Sequence, residues 1–146
     1  MTTHQSAIEI LKNKTKNLKT IILPLANCLH LVSADEVFAP INVPSFDNAA
    51  MDGYAFRFED FLNELNLQII NEIQAGTDAL LPLKKGETAR IFTGAPIPEN
   101  ADTVIPQEDV LVENGILKFQ KSVHKNAHIR QKGTQTQKGT LILKKN

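Results

Sequence analysis

Near residue 39 the spacing of apolar residues changes, and this limits the fold more than any other feature of the chain. Before that point apolar residues recur every three or four positions. After it they come in short runs broken by Gly, Pro and Asn. The first spacing suits a helix, whose turn is about 3.6 residues, and the second suits strands, whose side chains alternate. In "SAIEILKNKTKNL", Ile8, Leu11, Thr15 and Leu18 fall on one helical face, and Ser6 with Glu9 has the form of a capping box. A second helix is predicted from Pro24 through "LANCLHLVSADEVF", with Leu25, Leu29 and Val32 as its buried stripe. Cys28 and His30 read as packing residues within it.

Beyond residue 39, "NLQIINEIQAG" places Leu67, Ile69 and Ile73 on one face of a strand, and "ETARIFTGAPIP" reads as a strand ending in a turn. Asn114-Gly115 lies between "VLVE" and "ILKF". Asn-Gly between apolar runs is the strongest short-range hairpin signal, because both residues accept positive φ. A short helix is predicted within "RFEDFLNELN", and "TLIL" near the end is a short strand. The reading is a mixed α and β chain: N-terminal helices, then a small, mainly-β, barrel-like domain.

Charge narrows the function. Sixteen basic and sixteen acidic residues cancel, which argues against a nucleic-acid or anionic-membrane partner, since either calls for an excess of Lys and Arg. No apolar run reaches the ~20 residues of a membrane helix. The single Cys28 fits a reducing compartment, and the start "MTTHQSAIEI" has no leader pattern, so a cytoplasmic location is expected. No phosphate-binding Gly-Lys-Ser/Thr loop, dinucleotide Gly pattern or Cys-pair zinc pattern occurs. His124 and His128 are four apart in a strand or loop context, where ~13 Å would separate them, too far for one metal ion.

Three segments are not explained by packing. In "PSFDNAAMDGYAFR", 44–57, carboxylates sit among aromatic and small residues. In "RIFTGAPIPENADTVIPQED", 90–109, Thr93-Gly94 is a strand exit where a hydroxyl and free backbone N–H groups could hold an oxyanion. In "HIRQKGTQTQKG", 128–139, Arg130 and Lys132 flank a turn. Tight turns use the same residue types, so turn and ligand site both stand at this level.

The first segment closely resembles the signature of the MoeA and gephyrin E-domain family, the molybdopterin molybdenumtransferases: Pro-x-Phe-Asp-Asn-Ser-Ala-Met-Asp-Gly-Tyr-Ala-x-Arg. Phe46, Asp47, Asn48, Ala50, Met51, Asp52, Gly53, Tyr54, Ala55 and Arg57 match. The second resembles the family's Arg-Ile-x-Thr-Gly-Ala-Pro-x-Pro segment, and "IRQKGTQTQKGTLIL" its Ile-Arg-x-x-Gly-Glu-Asp-x-x-x-Gly segment, in family order.

The resemblance implies a transferase of molybdenum cofactor biosynthesis that inserts molybdenum from molybdate into adenylylated molybdopterin, assisted by Mg2+. It implies a homodimeric, elongated protein of which this chain is the N-terminal part. Residues 1–38 and 136–146 would belong to the elongated portion and 39–135 to a β-rich domain. The pterin-binding domain would lie outside this stretch and supply the other wall of a cleft, from the partner subunit. Asp52 and Thr93 would be catalytic, with Asp52 also the metal ligand. Gly94 and Arg130 would contact the anionic substrate. Phe46, Met51 and Tyr54 are expected to pack beneath the first segment, and Asp47 and Asn48 to stabilise its turns. One departure stands out: Gln135 occupies the position of the family's Asp, and an amide cannot supply charge to a cation. A non-catalytic dimerisation or docking module, as in the gephyrin branch, is the other reading.

Overall fold

The structure, a computed structural model, describes residues 3–16, 18–77 and 82–145. Two compact units are present, Met1–Val37 with Leu143–Asn146, and Phe38–Ile142.

In the first unit, helix α1 runs His4–Lys14. Its cap is Thr3, whose hydroxyl oxygen accepts from the Ser6 N–H at 3.2 Å, so the cap lies earlier than the Ser6–Glu9 pair suggested. Lys12 and Lys14 in the last turn suit the negative end of the helix dipole. Thr15 is the C-cap and Leu18 lies beyond the helix; Asn17 of the predicted helix is outside the described residues. The second predicted helix does not form. Only a 3-10 turn, Leu25–Asn27, follows Pro24. The expected stripe is in the open: Leu25 is 90% exposed, Leu29 77% and Val32 69%. His30 takes a left-handed φ of 65°, and the Ser33 hydroxyl donates to the Asp35 carbonyl. Local polar bonds of this kind compete with a helix. A short helix needs a surface to bury its face against, and the described residues of this unit leave these side chains uncovered.

In the second unit, ten strands occur among the described residues when β1 and β10 at its entry and exit are included. They are β1 Val37–Phe38, β2 Asn48–Ala49, β3 Gly53–Phe56, β4 Leu67–Ile73, β5 Glu87–Ile91, β6 Thr103–Pro106, β7 Val110–Glu113, β8 Ile116–Phe119, β9 Ile129–Arg130 and β10 Leu141–Leu143. Helix α2, Phe58–Leu62, follows β3, inside the stretch predicted for it. Six strands form one sheet in the order β6-β3-β5-β4-β8-β7. The sheet is mainly antiparallel, with β4 and β5 parallel. It ends at β6 and β7 and does not close, so the barrel expectation is met only in part. Asn114 and Gly115 join β7 to β8 with φ of 52° and 77°, the two-residue hairpin that their chemistry demands.

Alternation along the strands supplies two core clusters. Ala49, Ala55, Ala89, Ile91, Ala95 and Val104 belong to one. Phe56, Leu67, Ile105 and Leu117 form the other, closed by edge-on contacts of Phe119 with Phe56 and Phe61 at 5.0 and 4.8 Å between ring centroids. The small residues of the first cluster let backbones approach closely. Gly53 shows how closely. It lies between Ile91 of β5 and Pro106 of β6, and a Cβ there would sit 2.0 Å from the Ile105 carbonyl oxygen. The neighbouring strand is what requires glycine at 53.

Gly53→Ala should therefore force β6 away from β3 and cost about 2–3 kcal/mol in urea melts. Gly86→Ala is the comparison: φ is +78° with nothing within 4 Å, so only the left-handed penalty of about 1 kcal/mol applies. Equal losses would show that Gly53 answers to conformation and not to the approach of β6.

Candidate functional site

The three polar segments meet at β2. The Ala49 N–H donates to the Ala95 carbonyl at 2.9 Å, and the Ala49 carbonyl accepts from the Gly94 N–H at 2.8 Å. On its other side, Ala49 pairs with Ile129 and Asn48 with Arg130, and the Ala50 N–H donates to the His128 carbonyl at 2.8 Å. Asp47 adds a long-range tie, its Oδ1 accepting from the Lys132 N–H at 2.7 Å. It fastens two distant segments, whereas the expectation was a local turn. Asn48 does act locally, its amide donating to the Phe46 carbonyl at 3.3 Å. Beneath the segment the packing comes from Ala49, Ala55 and Phe56. Phe46 and Met51 are 47% and 43% exposed, contrary to the expectation that they pack underneath, and Tyr54 is half-buried.

This backbone frame brings Asp52 onto Thr93. Asp52 Oδ1 accepts two hydrogen bonds, from the Thr93 N–H at 2.8 Å and from the Thr93 hydroxyl at 2.7 Å. Among the described residues Oδ2 accepts none. The hydroxyl bond, then the amide bond, and last the positive charge of Arg90 hold the Asp52 carboxyl below its ordinary value of 3.8. The group is an anion at neutral pH with one oxygen clamped and one open to solvent.

The turn after Thr93 differs from the expected oxyanion cradle. The N–H groups predicted to be free are used internally: Thr93's by Asp52, Gly94's by Ala49, and Ala95's by the Phe92 carbonyl at 2.9 Å. The Thr93 hydroxyl proton points to Asp52, so its oxygen is left as an acceptor. Thr93 and Gly94 here build and orient the carboxylate. Arg130 is exposed on β9 opposite Asn48 and forms no ion pair among the described residues. Gln135 is exposed, and its N–H donates to the Val43 carbonyl at 3.0 Å. His124 and His128 lie around a turn, and among the described residues no group of three or more His, Cys, Asp or Glu could hold a metal ion.

One residue of the site was not singled out from sequence. Arg90 of β5 stands opposite Tyr54. Its guanidinium lies over the rings of Tyr54 and Phe92, 5.2 and 4.8 Å from the centroids, and donates to the Gly53 carbonyl at 2.9 Å and to Gln107 Oε1. Only its alternation with Phe92 along the strand hinted that it shares a side with the aromatic residue. A separate surface cavity of about 670 Å3, lined by Arg57, Glu59, Asp102 and Lys125, contains none of these residues. Its cations are already paired, Arg57 with Glu59 at 3.1 Å and Lys125 with Asp102 at 3.3 Å.

Comparison with known proteins identifies the family of the chain. The family model for the MoeA N-terminal region (domain I and II) matches residues 2–146. The molybdopterin molybdenumtransferase of Haemophilus influenzae is 37% identical over 144 residues, covering 98% of this chain and 36% of that protein. That of Staphylococcus aureus (strain Mu50) is 30% identical over 146 residues, covering 97% of this chain and 35% of that protein. A crystal structure of a molybdopterin biosynthesis MoeA protein from a Pyrococcus species superposes with a TM-score of 0.83 at 34% identity, over 96% of this chain and 37% of that one. The chain thus spans about a third of the length of the relatives it matches. By sequence, by family match and by fold, it belongs to the MoeA family and corresponds to its N-terminal region.

Proposed function

We propose that this chain supplies the N-terminal part of a molybdopterin molybdenumtransferase, with Asp52 as its reacting carboxylate. The observation that carries the reading is the pair of Thr93 bonds on one carboxylate oxygen, which leave the other free. A carboxylate held below its ordinary range is a poor proton donor and a good base or cation ligand. Adenylylated molybdopterin and molybdate are both anionic, so a cation held at Asp52 would offset their repulsion from its carboxylate. Mg2+ fits as that cation. It is commonly bound by one or two carboxylates together with substrate phosphates, and Asp52 would be its protein ligand from this chain. When bound, it would neutralise phosphate charge as the adenylate is released. Arg130, exposed and without an ion-pair partner among the described residues, would contact the anion from β9. The second wall of the site would come from the pterin-binding domain of the partner subunit, in the cytoplasm.

The homodimer has support in the first unit. Leu18, Ile22 and Leu25 are 95%, 98% and 90% exposed, and exposed apolar residues in such density mark an interface. The same residues favour the docking-module reading if catalysis fails. Ile22→Asp with Leu25→Asp should convert a sedimenting dimer into a monomer, and an unchanged sedimentation coefficient would remove this segment from the interface.

Asp52→Asn should leave melting nearly unchanged, because the amide oxygen still accepts from Thr93, and should slow molybdenum insertion by at least about 10²-fold. The assay uses the complete polypeptide carrying this segment, or residues 1–146 fused ahead of the remaining domains of the Haemophilus influenzae relative. Near-equal rates would return Asp52 to a purely structural role.

Thr93→Val keeps the shape and deletes the strongest cause of the lowered Asp52 pKa. Its carboxyl should then titrate closer to 3.8, as read by carbon-13 NMR. The sign for stability follows from linkage. A depressed folded pKa stabilises above the unfolded value, and that stabilisation disappears as pH falls through the folded value. Thr93→Val should therefore flatten the acid limb of the stability curve below 3.8. An unmoved titration would show that the hydroxyl does not act on Asp52.

A further inference from the structure

Asp52 and Thr93 lie on different strands or their extensions, 41 residues apart, and their contact needs something to hold those strands in register beside the site. Ladder bonds alone stop short of it: β3 begins at Gly53 and β5 ends at Ile91. Beyond the backbone frame at β2, the side chain that spans this gap is that of Arg90. One nitrogen, Nη1, donates to the carbonyl of Gly53, the residue after Asp52, at 2.9 Å. The other, Nη2, donates to Gln107 Oε1. The Gln107 backbone N–H in turn donates to the Asp52 carbonyl at 3.2 Å, so Arg90 and Gln107 enclose the Asp52–Gly53 backbone from two sides. On the Thr93 side, the ring of Phe92, the residue before Thr93, packs over the same guanidinium at 4.8 Å. Tyr54 closes the other contact at 5.2 Å.

We propose that Arg90 is a positioning residue, whose planar fork, held between Tyr54 and Phe92, locks the Asp52 backbone to the strand end that presents Thr93. Among the described residues it makes no ion pair with any carboxylate; its acceptors are neutral. A surface arginine usually takes a carboxylate. Here the side chain is instead committed to a carbonyl, an amide and two rings, all within two residues of Asp52 or Thr93 or hydrogen-bonded to them. The fork matters as well as the charge. Two nitrogens in one plane reach two acceptors at once, which an ammonium on a flexible stem does not reproduce. The cation–ring contacts fix the plane in which the fork lies.

The proposal rests on the reading of Asp52 as the reacting carboxylate, but its test measures geometry without turnover, so the two can fail separately. Amide hydrogen exchange is followed by NMR on the 146-residue chain for the parent, Arg90→Gln, Arg90→Lys and Gln107→Ala. If Arg90 positions Asp52, Arg90→Gln frees the Asp52–Thr93 bond. The Thr93 N–H then exchanges at least about tenfold faster, while amides of the β7–β8 hairpin hold their parent rates. Arg90→Lys, which keeps charge and ring contact but loses the fork, should show the same local change. Gln107→Ala, at an exposed position, should give a smaller rise at Thr93 in the same direction and serves if Arg90→Gln does not fold. A uniform acceleration across the sheet would make Arg90 a general structural residue and overturn the proposal. Parent-like exchange at Thr93 in Arg90→Lys, or no change there in Gln107→Ala, would overturn it too.

Discussion

Two residues of backbone hold this site together. β2 is only Asn48 and Ala49, yet Ala49 bonds to the 94–95 turn on one side and pairs with Ile129 on the other. Ala49 and Ala95 are buried and Gly94 and Ile129 half-buried, and a buried amide without a partner is costly. The chain therefore satisfies them together or not at all. Three segments separated by tens of residues acquire one fixed geometry through this short strand, and the side chains that emerge from it inherit that precision. Ala49 can serve because it is small: it is fully buried, and a larger side chain would push apart the strands it joins.

The proposed chemistry follows from an asymmetry imposed on one carboxylate. Thr93 takes Oδ1 with two donors, so the acid is kept ionised and its open oxygen is aimed by the clamped one. Solvent reaches the group, and the field of these dipoles is correspondingly screened. A deeply buried carboxylate would instead tend to protonate. Exposure also fits a cleft with one wall in this chain, since a site completed by another domain must present its working face outward.

The two units differ in what holds them. The sheet of the second closes two clusters with its own side chains. The first unit displays Leu18, Ile21, Ile22, Leu25 and Leu29 to solvent, and helix α1 buries no residue. Its apolar pattern is thus not used by the described residues of this chain. Helical periodicity failed there because the spacing of Leu25, Leu29 and Val32 specifies a helix only when a surface covers the stripe, and here all three are exposed.

Local chemistry was legible in the residues themselves. Asn114-Gly115 determined a hairpin because its backbone preferences need no distant partner, and β4, β5 and α2 followed from apolar spacing within a few residues. The signature around Asp52 and the Thr93-Gly94 pair also marked segments that the structure brings into contact, because specialised turn and site chemistry uses an uncommon residue mix. What those residues do was decided only by the tertiary structure. Gly53 is required by the Ile105 carbonyl, the Gly94 amide is spent on Ala49, Thr93 clamps a carboxylate 41 residues away, and Arg90 stands among them without a carboxylate of its own. Each of these assignments depends on which donor meets which acceptor across strands. A linear pattern records the donors and acceptors; the distances that pair them arise only when the sheet has set its register.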